Sequence, residues 1–177
     1  MNIPERMIKK VLLVLLKKIN ILCNIMEFLY KNNTITISSE KKNIILEKNH
    51  VDLDGLQIEC AGEYEKSGFL MYVREDQKIH YYMFRVEGFW IGYIPEIPTE
   101  IDAKIFDFFG QLDVLVAPFS KTEQKFLEQI EPKMLVTFAP TGSDLVAVLG
   151  AEIASGNNYK LKNQDISQDK TSLVILQ

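Results

Sequence analysis

The hydrophobic pattern of the chain changes period once, at Pro98, and that change limits the folds open to it. Upstream, short segments alternate apolar and polar residues or run apolar for a few positions. They are Thr34 to Ile37, Ile44 to Leu46, Val51 to Ile58, Gly68 to Val73, Ile79 to Val86 and Phe89 to Ile94. Stretches of this kind, rich in aromatic and β-branched residues, read as strands. Asp54-Gly55 and Glu87-Gly88 are tight-turn dipeptides that fold neighbouring strands into hairpins. Downstream, Thr99-x-x-Asp102, Ser120-x-x-Glu123 and Thr141-x-x-Asp144 each set a capping hydroxyl three residues before an acid. They predict helices over 100–109, 121–131 and 142–149, closed by Gly110, Pro132 and Gly150. Val114 to Ala117 and Met134 to Phe138 read as buried strands between those helices, and Thr171 to Leu176 as a last strand. Hairpins followed by alternating strands and helices predict a layered α/β domain.

Composition narrows the functions. With 177 residues and 47% hydrophobic side chains, the chain has material for one core. Two cysteines, Cys23 and Cys60, make neither a disulfide framework nor a thiolate zinc site, so a cytoplasmic, reducing location is expected. Two histidines, His50 and His80, are too few for a multi-histidine metal cluster. Charge is uneven. Residues 1–25 hold Arg6, Lys9, Lys10, Lys17 and Lys18 against Glu5, a net of +4 within a chain of −4, which leaves −8 for the rest. An acidic domain repels phosphate backbones, which argues against nucleic-acid binding.

The basic extension, residues 1–25, is set apart from a single domain over 26–177. Its longest wholly apolar run, Val11 to Leu16, is far short of the roughly 20 residues of a spanning helix, and it lacks a signal peptide's cleavage site. Ile8, Leu12, Leu15, Ile19 and Leu22 take one side of a helix and the lysines another. Three readings stay open: a helix packed on the domain, a peripheral membrane helix facing anionic headgroups, or an extension upstream of a true start at Met26. The extension is expected to be dispensable for folding.

From Ala61 the chain resembles a known family. Ala61-Gly62-Glu63-Tyr64-Glu65-Lys66-Ser67-Gly68 resembles the Gly-Glu-Tyr-Glu signature of metallo-β-lactamase-fold proteins, in the branch that contains the L-ascorbate-6-phosphate lactonases. Tyr82 to Ile94 is similar to the paired strands before that family's His-x-Gly-Asp metal motif, and Gln111 to Pro118 to the strand that follows it. Phe126 to Phe138 and Lys160 to Leu176 continue the resemblance in order. It implies a truncated αββα sandwich, two sheets flanked by helices, with Gly62, Glu63, Tyr64 and Glu65 in a hydrogen-bonded turn.

The resemblance also implies zinc ligands, and these positions hold other residues. Thr36 to Asn43 offers serine, glutamate and lysines, Lys41 and Lys42 among them, where a His-x-His-x-Asp-His loop would stand. A further histidine is lost where Arg74 to Lys78 shortens a loop. Tyr93-Ile94-Pro95-Glu96 takes the place of His-x-Gly-Asp, and the last histidine falls near Ala139-Pro140. Zinc needs several nitrogen and oxygen donors with one position open for water, so no metal and no cofactor is expected. Tyr93, Pro95 and Glu96 are expected to gather with Ala139 and Pro140 at one sheet edge.

The leading expectation is therefore an inactive metallo-β-lactamase-fold protein that acts by contacting a protein, either itself or an active relative. Phe89, Trp90 and Tyr93 are the candidate binding face, because aromatic anchors dominate such interfaces. The alternative is a lactone or phosphoester hydrolase with a metal-independent site using Glu63, Tyr93 and Glu96. His50 and His80 read as ordinary turn and strand residues, and Cys60 as a small buried hydrophobe in an apolar strand. Thr141-Gly142-Ser143-Asp144 reads as an ordinary helix cap rather than an anion site, since Asp144 already supplies negative charge there.

Overall fold

A computed structural model describes residues 25–120, 123–138, 145, 149, 152–166 and 170–177. Among these residues fourteen strands form two stacked sheets. The first is antiparallel throughout. It contains β1 (Met26–Lys31), β2 (Thr34–Ser39), β3 (Lys42–Leu46), β4 (Val51–Leu53) and β5 (Leu56–Ile58) in sequence order. The second opens with four antiparallel strands, β6 (Gly62–Lys66), β7 (Phe69–Asp76), β8 (Ile79–Val86) and β9 (Phe89–Tyr93). After Pro98 the pairing becomes parallel. Helix α1 (Ala103–Phe109) leads to β10 (Val114–Val116), and α2 (Gln124–Ile130) leads to β11 (Met134–Thr137). The chain then runs through β12 (Glu152–Gly156) at the edge of the second sheet. At Asn157 it crosses to β13 (Asn158–Leu161) beside β1, and it returns as β14 (Ser172–Leu176) between β11 and β12.

The hairpins follow from turn chemistry. Asn32-Asn33, Asp54-Gly55, Ser67-Gly68, Gln77-Lys78 and Glu87-Gly88 all have positive φ at both positions. That geometry matches the right-handed twist of the strands it joins. Alternation then sorts the side chains. Phe84, Ile91, Val116, Val136 and Val174 face the first sheet, where they meet Phe28, Ile37, Ile44 and Leu53. Tyr81, Leu115, Leu135 and Leu173 face outwards and are covered by Ile105 and Phe109 of α1 and by Phe126, Leu127 and Ile130 of α2.

Among the described residues the two stacked sheets of the expected sandwich are present and helical flanking is sparse, with α1 and α2 both on the outer face of the second sheet. Several expectations need correction. Gly62 to Glu65 is edge strand β6, not a turn; the turn is Ser67-Gly68. Helix α1 starts three residues after 100, because Asp102 and not Thr99 caps it, accepting from the Lys104 N–H at 2.8 Å. Strand β1, along with β12 and β13, was not anticipated. Glu123 does reach back to the Ser120 N–H at 2.8 Å, the reciprocal arm of a capping box. The expected helix over 142–149 and the whole of residues 1–24 lie outside the described residues, apart from Leu145 and Leu149.

One buried polar atom stands out in the outer core. Tyr81 is fully buried, and among the described residues its hydroxyl has no hydrogen-bond partner, nor has Asp76 Oδ2. A desolvated hydroxyl without a partner is a cost that phenylalanine removes. Tyr81→Phe is therefore expected to leave stability unchanged or raise it by about 1 kcal/mol in urea denaturation. A loss of similar size would contradict this.

Candidate functional site

Parallel strands β9, β10, β11 and β14 end at one edge, and ligands of open α/β sheets gather at such ends. Register sets Tyr93 beside Val116 and Val116 beside Val136, so Ile94 to Glu96 and Phe138 leave the sheet at that edge. The first sheet contributes the loop between β3 and β4, residues 47–50. Two contacts join the sheets there. Tyr93 Oη donates to the Glu47 carbonyl at 3.1 Å, and Lys48 Nζ lies 2.8 Å from Glu96 Oε2. His50 stands against the same loop, its Nε2 3.7 Å from Glu47 Oε2.

The electrostatics of this edge are those of a closed seam. Tyr93 is buried, and its ring stacks on Tyr82 at 5.7 Å. Burial, then the neighbouring Tyr82 and Glu47, push its phenol far above the ordinary tyrosine range. It donates a proton to a carbonyl and is no nucleophile near neutral pH. Lys48 and Glu96 are mostly exposed, so their pair adds little stability; it still occupies the one carboxylate at the position that matches a metal ligand.

The alkaline behaviour of the core follows from its phenols. Burial raises Tyr81 and Tyr82 to about 12, and burial also raises Tyr159, whose hydroxyl donates to Asp165 at 3.0 Å. The unfolded chain releases these protons from about pH 10, while the folded chain keeps them. The unfolded state then binds fewer protons, so stability is full below about pH 10 and falls as pH rises towards the folded values. The urea midpoint is expected to be level between about pH 8 and 9 and to drop steeply from pH 10 to 11. A level midpoint through pH 11 would contradict the buried phenols.

The sequence candidates are only partly brought together. Tyr93 and Glu96 share the strand edge with Lys48 and His50. Glu63 does not join them: it sits on edge strand β6, three strands from β9, on the outward face. With a strand spacing of about 4.8 Å, that placement gives the proposed acid set no common reaction centre. The aromatic trio is also divided, because successive strand residues point to opposite faces. Phe89 and Tyr93 lie in the inter-sheet core, while Trp90 is half-buried on the other face. Ala139, Pro140 and Thr141 to Asp144 lie outside the described residues. Cys60 is exposed. His80 pairs with Glu75 at 3.6 Å on the β7–β8 hairpin.

The donor chemistry at this edge does not fit zinc. The stretch matching the expected ligand loop is the β2–β3 hairpin, and Tyr93 and Glu96 are engaged as described. Among the described residues, no group of three or more His, Cys, Asp or Glu side chains is placed to hold a metal ion.

Sequence reading missed Asp113. Its carboxylate accepts from the Trp90 N–H at 2.9 Å and from Lys133 Nζ at 2.7 Å, tying β9 and β10 to the start of β11 at the opposite edge. It also missed the stacking of Arg85 on Trp90, although the two-residue Glu87-Gly88 turn already dictates the 85–90 pairing.

No family model and no curated protein sequence matches the chain. A crystal structure from Thermotoga maritima, provisionally described as a Zn-dependent hydrolase of the metallo-β-lactamase superfamily, superposes with a TM-score of 0.68 and 15% identity. The alignment covers 86% of this chain and 100% of that one. The chain therefore has the metallo-β-lactamase fold. No helix of the described residues is long and apolar enough to cross a membrane.

Proposed function

We propose that this chain is an inactive, cytoplasmic member of the lactonase-like branch of the metallo-β-lactamase fold, working through contact with a protein. The observation that carries the reading is the strand edge itself, where Tyr93 is a buried structural donor and Glu96 is held by Lys48. A zinc hydrolase needs several donors fixed by further hydrogen bonds, and an open position where bound water is acidified to a pKa of about 7. The residues here supply a seam between sheets instead. A second copy of the chain or an active relative is the proposed partner, since related surfaces pair readily by symmetry. The hydrolase alternative loses Glu63 to another part of the sheet and finds Tyr93 strongly protonated.

The test is turnover of lactone, phosphodiester and β-lactam substrates with added zinc or manganese, for the wild type and for Tyr93→His. Both are expected to be inert, because one imidazole brings neither its partner ligands nor their supporting hydrogen bonds. Metal-dependent turnover abolished by a chelator would overturn the proposal.

A further inference from the structure

The outward face of the second sheet carries two clefts that meet. One, of about 520 Å³, lies between Trp90, Met83 and the end of α1, with Gln111, Asp113 and Lys133 at its rim. The other, of about 290 Å³, is lined by Glu63, Tyr72, Arg74 and again Met83. Phe108 also belongs to both, so they form one groove. Strand register sets its floor: Glu63, Tyr72, Met83 and Gly92 form one row, and Trp90 stands in the row beside it, where its cross-strand partner Arg85 flanks the groove rather than lining it.

The groove has an unusual chemistry for a sheet surface. The Arg85 guanidinium lies 5.6 Å over the Trp90 ring, and that of Arg74 lies 5.3 Å over Phe108. Tyr72 sits 6.4 Å from Trp90, ring to ring. Stacking fixes the plane of a guanidinium while leaving its in-plane N–H donors available for a bidentate acceptor. Among the described residues neither arginine belongs to an ion pair. Lys133, the third cation, is already held by Asp113.

We propose that this groove binds a small planar aromatic anion of about the size of a nucleoside monophosphate. The ring would lie against Trp90 and Tyr72, and the anionic group would take the free edge of the Arg85 guanidinium. The volumes match ligand clefts, which run from about 300 to 1,000 Å³. Ring faces favour a flat partner, and the stacked arginines, which have no ion-pair partner among the described residues, hold N–H donors in a fixed plane for an anionic one. Glu63, at the far end, repels an anion and orients it towards Arg85. The groove is on the face away from Tyr93 and its fate is independent of the strand-edge reading.

Trp90 is the only tryptophan in the chain, so its emission reports on the groove directly. Titration of the whole protein with AMP, GMP and UMP is expected to quench it saturably, with half-saturation below about 1 mM. Inorganic phosphate and adenosine, each lacking one half of the ligand, are expected to bind at least tenfold more weakly. Arg85 is exposed, so Arg85→Gln keeps the fold, as circular dichroism would verify, and is expected to weaken AMP binding at least tenfold. No saturable quenching by any nucleotide, or undiminished binding by a folded Arg85→Gln protein, would overturn the proposal. So would an emission that shifts with protein concentration alone, which would assign the groove to a second copy of the chain.

Discussion

Gly92→Val is expected to lower the unfolding free energy by about 1–3 kcal/mol, the usual cost of overpacking a filled core. A Cβ at this position would stand 2.5 Å from Leu112 Cδ1, 3.1 Å from Phe109 Cε1 and 3.2 Å from Leu115 Cδ1. All three neighbours are almost fully buried, so none can swing into solvent to make room. The glycine lets the segment from α1 into β10 lie directly on β9, and through that contact it closes the outer core. The denaturant midpoint is expected to fall with an unchanged slope. A valine variant as stable as the wild type would mean that α1 does not pack on β9 as described.

A loss of about 2–3 kcal/mol is expected for Asp113→Ala, because the carboxylate makes two charge-assisted hydrogen bonds in a half-buried setting. The first satisfies the Trp90 N–H, which points away from β8 at a non-bonded position of the hairpin. The second holds Lys133. Removal leaves the N–H without an acceptor, which costs more than the bond itself contributed. Lys133→Met should cost only about 0–1 kcal/mol, because that pair is partly open to water. Equal losses for the two variants would show that the ion pair, rather than the strand-to-strand link, is what matters.

Elements with a strong local signal were legible in the sequence. The change of period at Pro98 marks the point where strand pairing turns from antiparallel to parallel. Val114 to Val116 and Met134 to Thr137 form as expected, because a short apolar run that follows a helix is best buried inside a parallel sheet. Gln77-Lys78 gives no turn signal, since neither residue favours positive φ; tight pairing of β7 with β8 imposes that conformation. Strand β1 was missed because Met26-Glu27-Phe28-Leu29 carries weak β propensity on its own. It is held by partners on both sides, one of them β13, more than a hundred residues away.

The strand edge was legible in part. Chain order and the resemblance located Tyr93 and Glu96, but the loop that meets them, with Glu47, Lys48 and His50, comes from the other sheet. No local pattern links residue 48 to residue 96. The aromatic trio failed for a simpler reason: Phe89 and Trp90 are adjacent on a strand and cannot share a face.

The most direct measurement of the central claim is the metal content of the whole purified chain, expressed with zinc in the medium and dialysed against metal-free buffer. With Tyr93 donating to a backbone carbonyl and Glu96 paired with Lys48, the account predicts zinc and manganese far below one equivalent per chain, and a melting temperature that added zinc does not raise. One or two equivalents of tightly held metal, with a melting temperature that falls on chelation, would contradict it.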